Sequence, residues 1–404
     1  MSSYRNTDPI PPIMAGSPPP PEWRVPRADW DRPPWNRWSF QNIRKILPTE
    51  NIGCGCSPTQ WIVEERDLTK VAFDAFDGTP STVSDVLNEY TDGFLVAKGG
   101  VILHESYHNG MTRQTQHLSQ SVAKSVVSTV AGVLIAKGRL DPTELITTYL
   151  PELERTAWRG ATVQHVLDMT TGVRYVEEYT DPNSDMGRTD VACGWKQVPD
   201  GADPADWPTT LWDQIMGLTE CETDHGARFK YRSIDTDVLG FAISRLTGLS
   251  LAEAISVFLW APMGAENPAC ITVDPAGTGL GDGGMCATLR DYARFGQTML
   301  DNGLVDGRQV IPADWVADVR SGDHGRFDDQ SREFMPNGRY RNMFWIQDAD
   351  SMTHMSLGVF GQFIYVSPEW DMVVVQLSSW PEFLSPERHS NTMRAINAIA
   401  AEIC

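Results

Sequence analysis

Cysteine is scarce: seven residues are spread over 404, without the density of a disulfide scaffold. The one close pair, Cys54 and Cys56, has no second pair at zinc-ligand spacing. The thiols therefore read as free, and no metal and no cofactor are expected. Basic residues are outnumbered, 33 Lys and Arg against 53 Asp and Glu, for a net charge of −20. With that deficit and no basic stripe, a nucleic-acid partner is not expected, because phosphate backbones would be repelled. Apolar runs are short, and none reaches the ~18 residues of a spanning helix. The first 23 residues lack the apolar stretch of a signal peptide. These absences read as an acidic cytoplasmic protein with no membrane partner.

What is present is ordinary globular composition with apolar residues enough for a large core. Pro18-Pro19-Pro20-Pro21 resists helix and sheet, so residues 1–34 read as an N-terminal arm, extended on the body or disordered. Two apolar runs, 94–98 and 101–107, flank Gly99-Gly100 and predict a β-hairpin. The spacing of Val126, Val127, Val130, Val133 and Leu134 predicts a helix over 121–137, with Gly138 as its cap. Further helices are expected at 142–149, 162–169, 234–246, 250–260, 289–302, 312–319 and 388–403, and strands at 343–346, 356–366 and 372–377. Strands early and late with helices between them predict an α/β (α+β) domain from 35–140 and 270–404. A mostly helical region, 141–269, completes a cleft.

Ser121-Val122-Ala123-Lys124 is a Ser-x-x-Lys pattern at the predicted start of a helix. Residues three apart share a helix face, so the amine reaches the hydroxyl. The expectation is that burial lowers the Lys124 pKa and leaves a neutral amine to accept the Ser121 proton. Tyr231, before the next helix, can share that proton and pass it to a leaving group. The late strand Gly358-Val359-Phe360-Gly361-Gln362 can offer a backbone N–H, at Val359, to an oxyanion paired with the Ser121 N–H.

In this order the three segments resemble the penicillin-recognising serine hydrolases: class C β-lactamases, DD-peptidases and related esterases. Thr162 to Val173, with Asp168-Met169-Thr170-Thr171-Gly172, resembles their helix leading into a Thr-Ser-Gly-like turn. The chain is more closely similar to the 6-aminohexanoate-dimer hydrolases, the nylon-oligomer amidases. The likeness runs from about Trp35 to the last helix, through Asn36-Arg37-Trp38, Asp181-Pro182, Gly194-Trp195, Thr236-Asp237-Val238-Leu239, Ile271-Thr272-Val273-Asp274 and Leu377-Ser378-Ser379-Trp380-Pro381. The resemblance implies a β-lactamase/transpeptidase-like fold, an antiparallel sheet flanked by helices. It implies Ser121, Lys124 and Tyr231 as catalytic residues, Tyr179 as a loop residue closing over the amide, Asp190, in the polar stretch Gly187-Arg188-Thr189-Asp190 that reads as a loop, as the partner of the substrate amine, and Trp195 in the pocket. Two positions depart from the family: Phe360 stands where it has His, and Asp282 where it has Asn before Gly283-Gly284. Neither Lys-Thr-Gly nor Tyr-Ser-Asn of the β-lactamases is present.

Two motifs read otherwise. His104-Glu105-Ser106-Tyr107-His108 fits the zinc-protease pattern, but on a strand its histidines stand ~13 Å apart, too far to share a metal. Gly279-Leu280-Gly281-Asp282-Gly283-Gly284 follows no dinucleotide-binding signature and reads as a tight loop near the site. The leading expectation is thus an amidase for a small-molecule linear amide. Alternatives are a carboxylesterase on the same scaffold and, from another class, a silent binding domain. A homodimer is compatible with the reading.

Overall fold

The computed structural model describes residues 4–321, Phe327, Arg332 and 335–403. Its main sheet has eight strands: β1 (Ile62–Val63), β2 (Thr91–Lys98), β3 (Val101–Tyr107), β4 (Arg339–Arg341), β5 (Phe344–Ile346), β6 (His354–Gly358), β7 (Gln362–Ser367) and β8 (Met372–Ser378). The spatial order is β4-β5-β6-β7-β8-β2-β3-β1. Only β1 runs parallel to its neighbour. The hairpin β2–β3 turns at Gly99 and Gly100, both at positive φ, 56° and 75°, the conformation a tight hairpin turn demands. β8 pairs with β2, Val374 facing Val96, so the sheet joins strands from both ends of the chain.

Five helices matter for the site: α1 (Val122–Ala136), α2 (Asp185–Ala192), α3 (Ser233–Thr247), α4 (Leu289–Leu300) and α5 (Pro386–Ile403). α1 is buried on every side from Val122 to Leu134, as expected for a central core helix rather than a surface one. Gly132 lets Trp315 lie against it: a Cβ there would stand 2.3 Å from the indole. α1 ends as its sequence predicts, with Gly138 at φ 64° and its N–H on the Ile135 carbonyl. α4 lies on β7 and β8, where Gly296 admits Val373 and Ile364.

A second, four-stranded sheet has the order Thr49–Ile52, Ala269–Thr272, Met285–Ala287, His117–Leu118. It is absent from the sequence reading because its strands are two to four residues long, too short to show a period. Two further points correct that reading. The run at 356–366 is two strands, β6 and β7, with Gly358 paired to Gln362 across a turn at 359–361. The helix expected at 142–149 is confined to Ile146–Tyr149, the residues before it being turns closed by Asp141. Of the two alternatives for the N-terminal arm, the structure has it on the body: Trp30 is 1% exposed and packs on Phe40 and Trp195. Among the described residues no single helix is long and apolar enough to cross a membrane.

Candidate active site

The small sheet delivers the nucleophile. Ser119 donates both its N–H and its hydroxyl to the Met285 carbonyl, at 2.9 and 3.1 Å. Gln120 then takes a left-handed conformation, φ 50°, uncommon for a residue with a Cβ and typical of constrained functional turns. Ser121 follows at the N-terminus of α1. One turn on, Lys124 is 1% exposed. Its Nζ donates to Ser121 Oγ at 2.9 Å and to the Asp282 backbone carbonyl. That carbonyl is fixed in turn by Asp237 of α3, whose Oδ1 accepts the N–H groups of Gly281 and Asp282. Tyr231, just before α3, presents its ring 5.3 Å from the Lys124 amine and its hydroxyl to Ser121 and Lys124. The phenol is stacked on Trp345 of β5 and edged by Tyr340 of β4.

The protonation of this group differs from the sequence expectation. Burial pushes the Lys124 amine down, but Tyr231, Asp282, Glu177 and Asp237 crowd around it and the balance lifts it above its ordinary value. A buried ammonium among acids replaces the neutral amine that burial alone suggests. Burial likewise raises the Tyr231 phenol, with Glu177 adding to it and Lys124 opposing. The acids share the strain: burial raises Glu177, Asp237 and Asp282, and Asp237 is pushed further by Asp282.

A cleft of ≈ 480 Å³ opens over Ser121 and Lys124, and Tyr179, Asp190, Trp195, Asp282 and Val359 all line it. Five residues expected around the substrate thus meet in one cavity with the catalytic pair. Tyr179 stacks on Phe383 at 5.2 Å and donates its hydroxyl to Glu177 at 2.9 Å. Trp195 is held by its indole N–H on Thr272 Oγ1 of the small sheet, 3.0 Å. Asp190, expected in a loop, lies on α2, whose start Ser184 caps through the Gly187 N–H. Its carboxyl accepts no hydrogen bond from the described residues. Burial and then the neighbouring Asp31 push it up to about 8, against the pull of Lys196 and Arg32.

The oxyanion region depends on a glycine. A Cβ on Gly358 would stand 2.5 Å from the Ser119 carbonyl oxygen, so only glycine lets β6 come this close to the residues before the nucleophile. The turn beyond it bends through Phe360 and Gly361, φ 63° and 85°. Among the described residues neither the Ser121 N–H nor the Val359 N–H has an acceptor, whereas the Phe360 N–H is spent on the Phe383 carbonyl at 2.9 Å. Phe360 itself turns inward, against Phe40 and Phe383.

Sequence reasoning missed four contributors. Asp31 lines the cleft from the N-terminal arm. Phe383, in the loop after β8, forms its aromatic wall. Glu177 takes up the Ser233 N–H at the start of α3 as well as the Tyr179 hydroxyl. Asp237 braces the glycine loop. Asp237 stood within a quoted family match; the others had no local signal. The His104–His108 motif lies where the sequence places it, with His104 on β3. Glu105 there is bound to Arg290 of α4.

The Beta-lactamase family's sequence profile matches residues 85–397. A 6-aminohexanoate-dimer hydrolase of Paenarthrobacter ureafaciens is 36% identical over 358 residues, 87% of this chain and 88% of that protein. A solved structure from Bacillus anthracis, named provisionally for the same activity, superposes with a TM-score of 0.86 at 26% identity. It covers 95% of this chain and 98% of its own. A family VIII carboxylesterase shares the fold, with a TM-score of 0.58 at 16% identity over 85% of this chain and 99% of its own.

Proposed function

The chain belongs to the Beta-lactamase family and is a serine hydrolase; from that premise we propose that it cleaves small linear amides whose acyl part ends in a free amine, 6-aminohexanoate oligomers among them. One observation carries the substrate class. Asp190 is a half-buried carboxyl to which no described residue donates a hydrogen bond, in the cleft that holds Ser121. A charge-assisted bond from a substrate ammonium answers that need.

In the reaction, Ser121 Oγ attacks the amide carbonyl and its proton passes to the Lys124–Tyr231 pair. Because the pair holds both protons at rest, the reactive form is the one that has lost a proton. The Ser121 and Val359 N–H groups receive the oxyanion. Collapse breaks the C–N bond, and the amine leaves with the proton handed over by Tyr231. Water, losing its proton to the same pair, then releases the acid from Ser121. Tyr179, swung from Glu177, closes over the amide.

A carboxylesterase is the second reading. The apolar wall of Tyr179, Phe383 and Phe360 favours an uncharged acyl chain, and an ester leaving group needs less protonation. The cytoplasmic setting belongs to the proposal too and rests on the dispersed cysteines of the sequence. Assay of the linear 6-aminohexanoate dimer beside a short-chain p-nitrophenyl ester, with Ser121→Ala as control, decides between the readings. Ester turnover without dimer turnover removes the amidase.

A further inference from the structure

The N-terminal arm does more than cover the core. Asp31 is 4% exposed, yet it borders the cleft that holds Asp190 and Ser121. Its carboxylate is paired with the Lys196 ammonium, which also donates to the Ala28 carbonyl at 2.8 Å. The residues around it fasten the arm to both substrate loops. The Trp30 indole N–H donates to the Trp195 carbonyl at 2.9 Å, and Arg27 reaches the Gly194 carbonyl. Arg32 donates to the Tyr179 carbonyl at 3.3 Å and lies 4.3 Å over Phe383.

We propose that Asp31 is a specificity-determining residue of the cleft, forming with Asp190 the subsite for the substrate's ammonium group. This rests on the amine-ended substrate reading above.

The groups facing Asp190 are few: Asp31 and Arg32 from the arm, Lys196 beyond α2, Asp282 from the glycine loop, and the Cys193 thiol of its own neighbourhood. On Asp190 the charge of Asp31 outweighs that of Lys196. Asp190 keeps its proton at neutral pH, since it titrates at about 8. An incoming ammonium therefore meets the Asp31 carboxylate first, and its charge lowers the pKa of Asp190, whose proton passes to solvent and leaves a carboxylate on the bound amine. Remove the charge of Asp31 and the order inverts. Lys196 is left without its partner, attracts Asp190 for itself and repels the substrate amine.

The test uses the full chain and two substrates: the linear 6-aminohexanoate dimer, and hexanoyl-6-aminohexanoate, the same amide without the amine. Wild type is expected to prefer the first. Asp31→Asn should lower kcat/KM on the dimer on the order of tenfold, mainly through KM, as for one lost charge-assisted contact. The hexanoyl amide should change less than about twofold on the same grounds. The pH midpoint of KM for the dimer should fall below about 8, the value for Asp190. Lys196→Gln, which leaves Asp31 charged and frees it, should keep the preference and move that midpoint upward; it serves also where Asp31→Asn unfolds. Wild type without a preference overturns the amine reading itself. A wild-type preference that Asp31→Asn retains, or an equal loss on both substrates, overturns the role of Asp31. So does loss of the preference in Lys196→Gln.

Discussion

Ser121→Ala removes the atom that forms the acyl-enzyme and leaves a side chain of nearly the same size, so the fold should persist while hydrolysis drops by several orders of magnitude. Labelling by a serine-directed phosphonate together with thermal unfolding checks both halves. The proton pair makes a finer prediction. Lys124 and Tyr231 are both raised, and a raised base is charged up with its proton below its pKa. The rate should thus climb about tenfold per pH unit on the acid side and keep climbing into the alkaline range. A pH profile flat from 6 to 9 would take the pair out of the mechanism. Tyr231→Phe should reduce amide hydrolysis at least as much as that of an activated ester, because an amine must leave with a proton and a nitrophenolate need not. Asp190 couples function to stability. Its folded pKa of about 8 exceeds its ordinary 3.8, so the native state holds the proton more tightly and loses stability as pH rises from one value to the other. Asp190→Asn escapes that loss. It should unfold at a higher temperature than wild type at pH 8, with a smaller gain at pH 6, while its dimer kcat/KM falls roughly ten- to a hundredfold.

Among elements, the β6–β7 turn is the most demanding. It sits where Gly358 touches the Ser119 carbonyl, and the Val359 N–H follows directly. Gly358→Ala must push the turn off the nucleophile strand. Overpacking of this kind costs about 1–3 kcal/mol, and the displaced N–H should lower kcat on esters and amides alike with KM little changed. Denaturant unfolding and kinetics on both substrates separate the two effects; an unaltered kcat would place the oxyanion elsewhere. α2 shows how a short helix was misread. Asp185-Met186-Gly187-Arg188-Thr189-Asp190 is polar and carries a glycine, which disfavours helix locally. Yet Ser184 caps it, and Tyr175 packs against Met186 and Thr189. Gly187 fits there because a Cβ would strike the Pro182 carbonyl at 2.5 Å. Tertiary contact outweighs propensity in such cases.

For the molecule as a whole, charge is the clearest property. At −20 net the surface attracts a cationic substrate over a distance that salt shortens to about 10 Å at 0.1 M. Raising ionic strength from about 10 to 150 mM should therefore lower kcat/KM severalfold for a cationic 6-aminohexanoyl anilide and leave a neutral ester unchanged. An equal response of both would mean that the charge acts on the protein and not on encounter. The strands of the main sheet come from residues 62–107 and 339–378, so the active site is assembled from widely separated parts of one chain. The arm, α1, the loop at 179, α2, the glycine loop and the β6–β7 turn all reach the same cleft.

The sequence alone determined what depends on local spacing. Ser121 and Lys124 stand one turn apart because any helix puts them there, and the Gly99-Gly100 hairpin, the course of α1 and the strand setting of His104 follow from period and turn chemistry in the same way. Likeness to a family supplied Tyr179, Asp190 and Trp195, which no local pattern marks, and singled out Tyr231 from the other tyrosines that could share the proton. Tertiary structure decided the rest, since electrostatics and close approach sum over neighbours that are distant in sequence. Burial by itself argues for a neutral Lys124; Tyr231, Asp282, Glu177 and Asp237, brought from three segments, reverse the sign. Gly358 looks like any strand glycine until Ser119 lies against it. Asp31 sits in a proline-rich arm with nothing to mark it, and reaches the cleft only because Trp30 is sunk against Trp195 more than 160 residues away.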